Sequence, residues 1–166
     1  DTLWTYDEEA GQYYLHRFYK EQPDLNTANP AVREEIFRIM NFWLRLGVNG
    51  FRIDAAQMLV ESYGMENKPA DLFSFINQMR DHVQSQKGDV LLLAEVSAGP
   101  EEMKLFLQDN ERMNMLFNFF TNQHLFYALA SGDKKELEHS IKKLPAIHPH
   151  NQWLNFLRHH DELNLR

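Results

Sequence analysis

The sequence predicts an α/β fold built on parallel strands, and three observations carry that reading. Residues 48–55, 89–95 and 153–161 are short strand-like runs, and they bring the chain to Asp54, Glu95 and Asp161. Between them lie stretches with apolar residues three and four apart, the periodicity of amphipathic helices. Strands alternating with helices pair in parallel, with the helices as crossovers. In such sheets and barrels, sites are built at the carboxyl ends of the strands. That is where the three acids fall, so a barrel-type active site is expected.

Taken in order, residues 3–6 and 12–18 flank the turn residues 7–11 and predict a β-hairpin. Residues 22–26 form a turn. Asn29 and Pro30 mark a helix start, asparagine as N-cap and proline in the first helical position. Ile36, Ile39, Met40, Trp43 and Leu44 then make one apolar stripe, and Gly47 suits the left-handed position just past a helix end. The strand that follows carries Arg52 and Asp54 two apart, so both side chains leave the same face. Residues 61–69 read as a polar loop. A helix is predicted over 70–86, with Leu72, Phe73, Ile76, Met79 and Val83 inward.

A turn at 87–89 leads into the leucine run before Glu95, which reads as a strand buried on both faces. Pro100, Glu101 and Glu102 open a third helix with acids in its first turn, where the helix dipole favours them. Residues 113–120 predict another strand. Helices over 123–130 and 134–144 follow, then a loop over 145–151 into the last strand.

Bulk properties narrow the function. A length of 166 residues suits one domain, yet an eight-unit barrel needs about 250. The chain is therefore expected to be either a small open α/β domain or part of a larger barrel. An open sheet leaves two unpaired edges, which predicts self-association. A net charge of −7 argues against a nucleic-acid partner. The absence of cysteine excludes disulfides and thiolate zinc sites. No apolar run is long enough to span a membrane.

Two chemistries suit acids gathered at successive strand ends. One is glycoside chemistry with retention, which needs a carboxylate nucleophile close to a protonated carboxylic acid. The other is a divalent metal site. Arg52 argues against the metal: a guanidinium beside Asp54 would repel a dication, whereas it would hold a nucleophilic carboxylate ionised and oriented. His160 fits as a neutral donor to a sugar hydroxyl.

Gly50-Phe51-Arg52-Ile53-Asp54-Ala55 resembles the second signature of the α-amylase superfamily, glycoside hydrolase family 13. Ala94-Glu95-Val96 resembles the third, and Phe156-Leu157-Arg158-His159-His160-Asp161-Glu162 the fourth. Gln22-Pro23-Asp24-Leu25-Asn26 is similar to the extra signature of the oligo-1,6-glucosidase branch. The hairpin and residues 158–163 look most like trehalose synthases and related α-glucosidases. The resemblance covers essentially the whole chain.

It implies a partial (β/α)8 barrel holding about strands four to seven, with residues 1–26 as the tail of an inserted domain and a connecting turn. It implies Asp54 as nucleophile, Glu95 as general acid/base and Asp161 as a binder of substrate hydroxyls. His160 would stand beside Asp161, and Arg52 would position the nucleophile. The implied substrate is an α-linked glucoside or oligosaccharide, with no cofactor and no metal. The family's first signature has no match here and is expected ahead of residue 1. His159 stands where relatives often have asparagine, and Val96-Ser97 replace a different pair, so the substrate is less defined than the reaction class. The isolated chain is expected to lack the full pocket and to be inactive. Competing readings are a non-enzymatic amylase-like subunit, disfavoured because all three acids are present, and a free-standing metal-dependent α/β domain.

Overall fold

A computed structural model describes residues 3–60, 71–158 and 160–161. Two sheets form. Strands β1 (Trp4–Asp7) and β2 (Gln12–Leu15) make an antiparallel hairpin with Trp4 opposite Leu15. Strands β3 (Gly50–Ile53), β4 (Leu91–Ala94), β5 (Met115–Phe117) and β6 (Gln152–Leu154) make a parallel sheet in that order. Consecutive strands are neighbours, as in a barrel wall, and β3 and β6 form its edges.

Helices fill the connections as the alternation requires. Helix α1 (Pro30–Arg45) precedes β3, and its Asn29 side chain accepts from the Ala31 amide at 3.0 Å. Gly47 closes the helix at φ +97, a conformation that glycine adopts without strain. Of the predicted α1 stripe only Met40 is fully buried, whereas Ile39 and Trp43 are exposed. Helix α3 (Ser74–Gln86) joins β3 to β4 and starts later than its apolar pattern suggests. Asp71 explains the delay: its side chain accepts from the Phe73 amide at 2.9 Å, a local turn that competes with helix. Leu72 therefore precedes the helix and is exposed, while Ile76, Met79 and Val83 are buried. Helix α4 (Pro100–Leu107) joins β4 to β5, and α5 (Phe119–Ser131) and α6 (Lys135–Lys143) join β5 to β6.

The strands are shorter than the apolar runs. The third one shows why: Asn118 ends it, its side chain accepting from the Thr121 amide at 3.1 Å and capping α5 four residues ahead of the predicted helix. A one-turn helix, α2 (Gln57–Val60), follows β3 where no helix was predicted. The polar loop predicted over 61–69 lies outside the described residues.

Register decides which face each strand residue serves. Partners in adjacent parallel strands share a face. Ile53, Ala94, Leu116 and Trp153 therefore form one row, and Arg52, Leu93, Met115 and Gln152 another. The first row, with Leu92, packs on Phe75, Ile76, Met79 and Val83 of α3 and Met103, Phe106 and Leu107 of α4. The second row faces away from that core. The leucine run is thus buried on one face only: Leu92 and Ala94 are inaccessible, Leu93 is partly covered and Leu91 is exposed. Helices α3 and α4 thus pack on one side of the sheet.

Two features hold the sheet together. A Cβ on Gly50 would lie 2.8 Å from the Leu91 carbonyl oxygen, so only glycine lets β3 approach β4 this closely. Asn114, just before β5, accepts from the Leu92 amide at 2.8 Å and from the buried Arg80 guanidinium at 2.5 Å. Burial pushes the Arg80 pKa down, and this bond offsets part of the charge's lost hydration.

Candidate active site

The site lies on the sheet face away from the helical core, at the carboxyl ends of β3 and β4. Arg52 is the third residue of β3, and Asp54 follows the strand's end. Asp54 turns immediately into Ala55, whose φ of +41 is unusual for a residue with a side chain. The bend is pinned by the Ala56 amide, which donates to the Glu95 carbonyl at 2.8 Å, while the Glu95 amide donates to the Ile53 carbonyl at 3.0 Å. The β3–β4 ladder therefore runs one step beyond both strands and fixes the two acids relative to each other.

Arg52 joins them. Its Nη1 lies 2.8 Å from Asp54 Oδ1, and its Nη2 donates to Glu95 Oε2. The Asp54 side chain is largely open to solvent, whereas that of Glu95 is only 22% exposed. The Glu95 pKa is raised. Burial is the largest cause, Arg52 opposes it, and the charges of Asp54 and Asp161 add to the rise together with a hydrogen bond that protonated Glu95 donates to Asp54. Two carboxylates with one guanidinium thus sit in different environments, one exposed and one holding its proton to higher pH. That is the division needed for a nucleophile and an acid.

Asp161 reaches this pair from beyond β6. That strand stops at Leu154, so the predicted strand end at 161 is in fact a loop. Asp161 nonetheless lies close enough for its charge to act on Glu95, and His160 Nε2 lies 3.1 Å from Asp161 Oδ2. The structure therefore gathers Arg52, Asp54, Glu95, His160 and Asp161 at one end of the sheet. His159 lies outside the described residues. Among the described residues, no group of three or more His, Asp or Glu side chains is placed to hold a metal ion, and no helix is long and apolar enough to cross a membrane.

Several residues here carried no signal strong enough to single them out. Phe117, the last residue of β5, lies 5.8 Å from the Arg52 guanidinium carbon and meets Phe156 edge-on at 5.7 Å. Its place directly before an asparagine cap was the available clue. On the other side, a cleft of about 570 Å³ opens between the hairpin and the end of β3, lined by Trp4, Tyr13, Phe18, Asp54 and Met58 among others. Its wall is braced by Arg17, which donates to Asp24 Oδ2 at 2.5 Å and to the Met58 carbonyl at 3.1 Å. The turn over 22–26 is thereby tied to the segment following Asp54.

Known proteins resemble this chain in sequence and in fold. The model of the α-amylase catalytic domain matches residues 1–165. A trehalose synthase from Thermus thermophilus is 40% identical over 165 residues, covering 98% of this chain and 17% of that protein. An oligo-1,6-glucosidase from Parageobacillus thermoglucosidasius is 37% identical over 156 residues, covering 82% of this chain and 27% of its own length. The crystal structure of an α-amylase from H. orenii superposes with a TM-score of 0.73 at 24% identity, covering 96% of this chain and 32% of that one. The chain thus spans between about a sixth and a third of each of these proteins.

Proposed function

Because this chain belongs to the α-amylase family, whose catalytic-domain model matches residues 1–165, we propose that it carries the reacting carboxylates of an enzyme that cleaves or transfers α-glucosidic bonds with retention. The observation that carries the reading is the Arg52 bridge. One guanidinium holds Asp54 and Glu95 together, which favours the short carboxyl separation of about 5 Å used by retaining enzymes over the wider spacing that admits a water.

Asp54 is the nucleophile in this reading. Exposed and oriented by Arg52, its carboxylate attacks the anomeric carbon. Glu95, whose pKa is raised, donates its proton to the departing glycosidic oxygen. A covalent glucosyl ester on Asp54 results. Glu95, now a carboxylate, then takes the proton of an incoming hydroxyl, which attacks the anomeric carbon and frees Asp54. With water as acceptor the result is hydrolysis; with a sugar hydroxyl it is transfer or isomerisation. Asp161 and His160 bind ring hydroxyls at the rim. The similarity to a trehalose synthase and an oligo-1,6-glucosidase supports small α-glucosides as substrates.

The test uses the full-length gene product on maltose, isomaltose and an aryl α-glucoside. Glu95→Gln should abolish turnover of the disaccharides while still loading a glucosyl group onto Asp54 from a glucosyl fluoride, seen as an added hexosyl mass. Asp54→Asn should abolish both. Full disaccharide turnover by either variant rejects the assignment.

A further inference from the structure

Strand β6 ends at Leu154, so the ladder does not reach Asp161. Two buried asparagines at the start of α5 hold the first part of that loop instead. Asn118 and Asn122 are 1% and 2% exposed. The Asn118 amide donates to the Leu154 carbonyl at 3.0 Å, and its Nδ2 donates to Asn155 Oδ1 at 2.8 Å. One helical turn later, Asn122 Nδ2 donates to the carbonyls of Phe156 at 2.8 Å and Leu157 at 3.1 Å. Both hydrogens of that amide are used, so it can grip two successive peptides at once. The Phe156 ring packs edge-on against Phe119 at 5.0 Å and Phe117 at 5.7 Å, and Phe117 in turn contacts Arg52.

We infer that Asn122 is a positioning residue for the acid cluster, clamping the backbone at Phe156 and Leu157 so that the loop delivers His160 and Asp161 beside Glu95. The inference rests on the proposed roles of Asp54, Glu95 and Asp161. A purely structural role is the competing explanation, and the molecule supplies its own control. Asn151, 4% exposed at the opposite end of β6, donates to the Met113 and Asn114 carbonyls at 2.9 and 3.3 Å. It has the same residue type, the same burial and the same two-carbonyl grip, but it sits at the end of the sheet remote from the acids.

The readout is the titration of Glu95, which Arg52 lowers and Asp54 and Asp161 raise. In the full-length gene product, Asn122→Ala frees the loop and lets Asp161 withdraw, so the ¹³C NMR midpoint of Glu95 should fall. The rate kcat should drop by about 10²-fold, the usual effect of a misplacement near 1 Å, with a smaller change in KM. Asn151→Ala should lower the melting temperature but leave the Glu95 midpoint where it is. Asn122→Leu keeps the volume and removes the donor. It should reproduce the lowered midpoint, and it stands in if the alanine variant does not fold. An unchanged Glu95 midpoint in the Asn122 variants, or an equal shift in Asn151→Ala, overturns the inference. The titration needs no turnover, so it still decides the matter if Glu95→Gln retains full activity, a result that would count against the glycosidase reading alone.

Discussion

Arg52 reaches diagonally across the β3–β4 pair to donate to Glu95 Oε2. Its register partner is Leu93, and Glu95 is the next residue along that chain on the same face, so the long arginine side chain covers one step of the ladder. The same guanidinium holds Asp54. Both acids therefore depend on one cation for orientation, and Glu95 depends on it for its proton affinity as well.

Replacing Arg52 by Gln should act on both. Arg52 is the influence that lowers the Glu95 pKa against burial and the two neighbouring carboxylates. Without it Glu95 should keep its proton to higher pH, and the alkaline limb of the rate profile should move upward. The rate should still fall by roughly 10²-fold, because Asp54 loses its orienting partner. Arg52→Lys should restore charge but not the two-armed geometry, and so recover only part of the rate. A pH–rate profile of kcat/KM for the three proteins checks this.

Glu95 should also make stability depend on pH. Its folded-state pKa lies above the ordinary value, so the folded protein binds this proton more tightly than the unfolded chain. The stabilisation is fully present below the unfolded-state pKa of about 4.3 and is lost as pH rises through the folded-state pKa. Glu95→Gln removes the partly buried charge and should melt at a higher temperature than the parent at pH 7. The advantage should shrink on acidification below pH 4. Thermal melts at both pH values test it; no difference in the advantage would count against an acid with raised proton affinity.

Gly50→Ala should weaken the sheet at its most crowded point. The added methyl would sit 2.8 Å from the Leu91 carbonyl oxygen, and backbone cannot yield as a flexible side chain would. A loss of about 1–3 kcal/mol is expected, read from the urea midpoint. Because β3 carries Arg52 and leads directly to Asp54, activity should fall along with stability.

Much of the site was legible because its chemistry is local in sequence. Arg52 and Asp54 stand two apart, and strand geometry alone puts them on one face. Glu95 directly follows an apolar run that could hardly be anything but a strand. The errors were also local in origin. The apolar run before Asp161 looked like one long strand, but side-chain amides took over from the ladder after Leu154. The run through Phe120 looked like strand because aromatic residues favour it, but Asn118 caps a helix there.

By itself, the sequence determined the alternation of helices and parallel strands, the helix cap at Asn29 and Gly47, and the place of Asp54 and Glu95 directly after strands. These follow from periodicity and from neighbours a few residues apart. Only the tertiary structure decided that a single guanidinium would bridge Asp54 and Glu95, that Asp161 would bear on Glu95 from a loop, and that Asn114, Asn118, Asn122 and Asn151 would lace the sheet ends together. The hydrogen bonds of Arg52 with Glu95 and of these asparagines with distant partners span some 22 to 43 positions. A buried polar group must find a hydrogen bond wherever the fold supplies one, and no local pattern records which distant partner that will be.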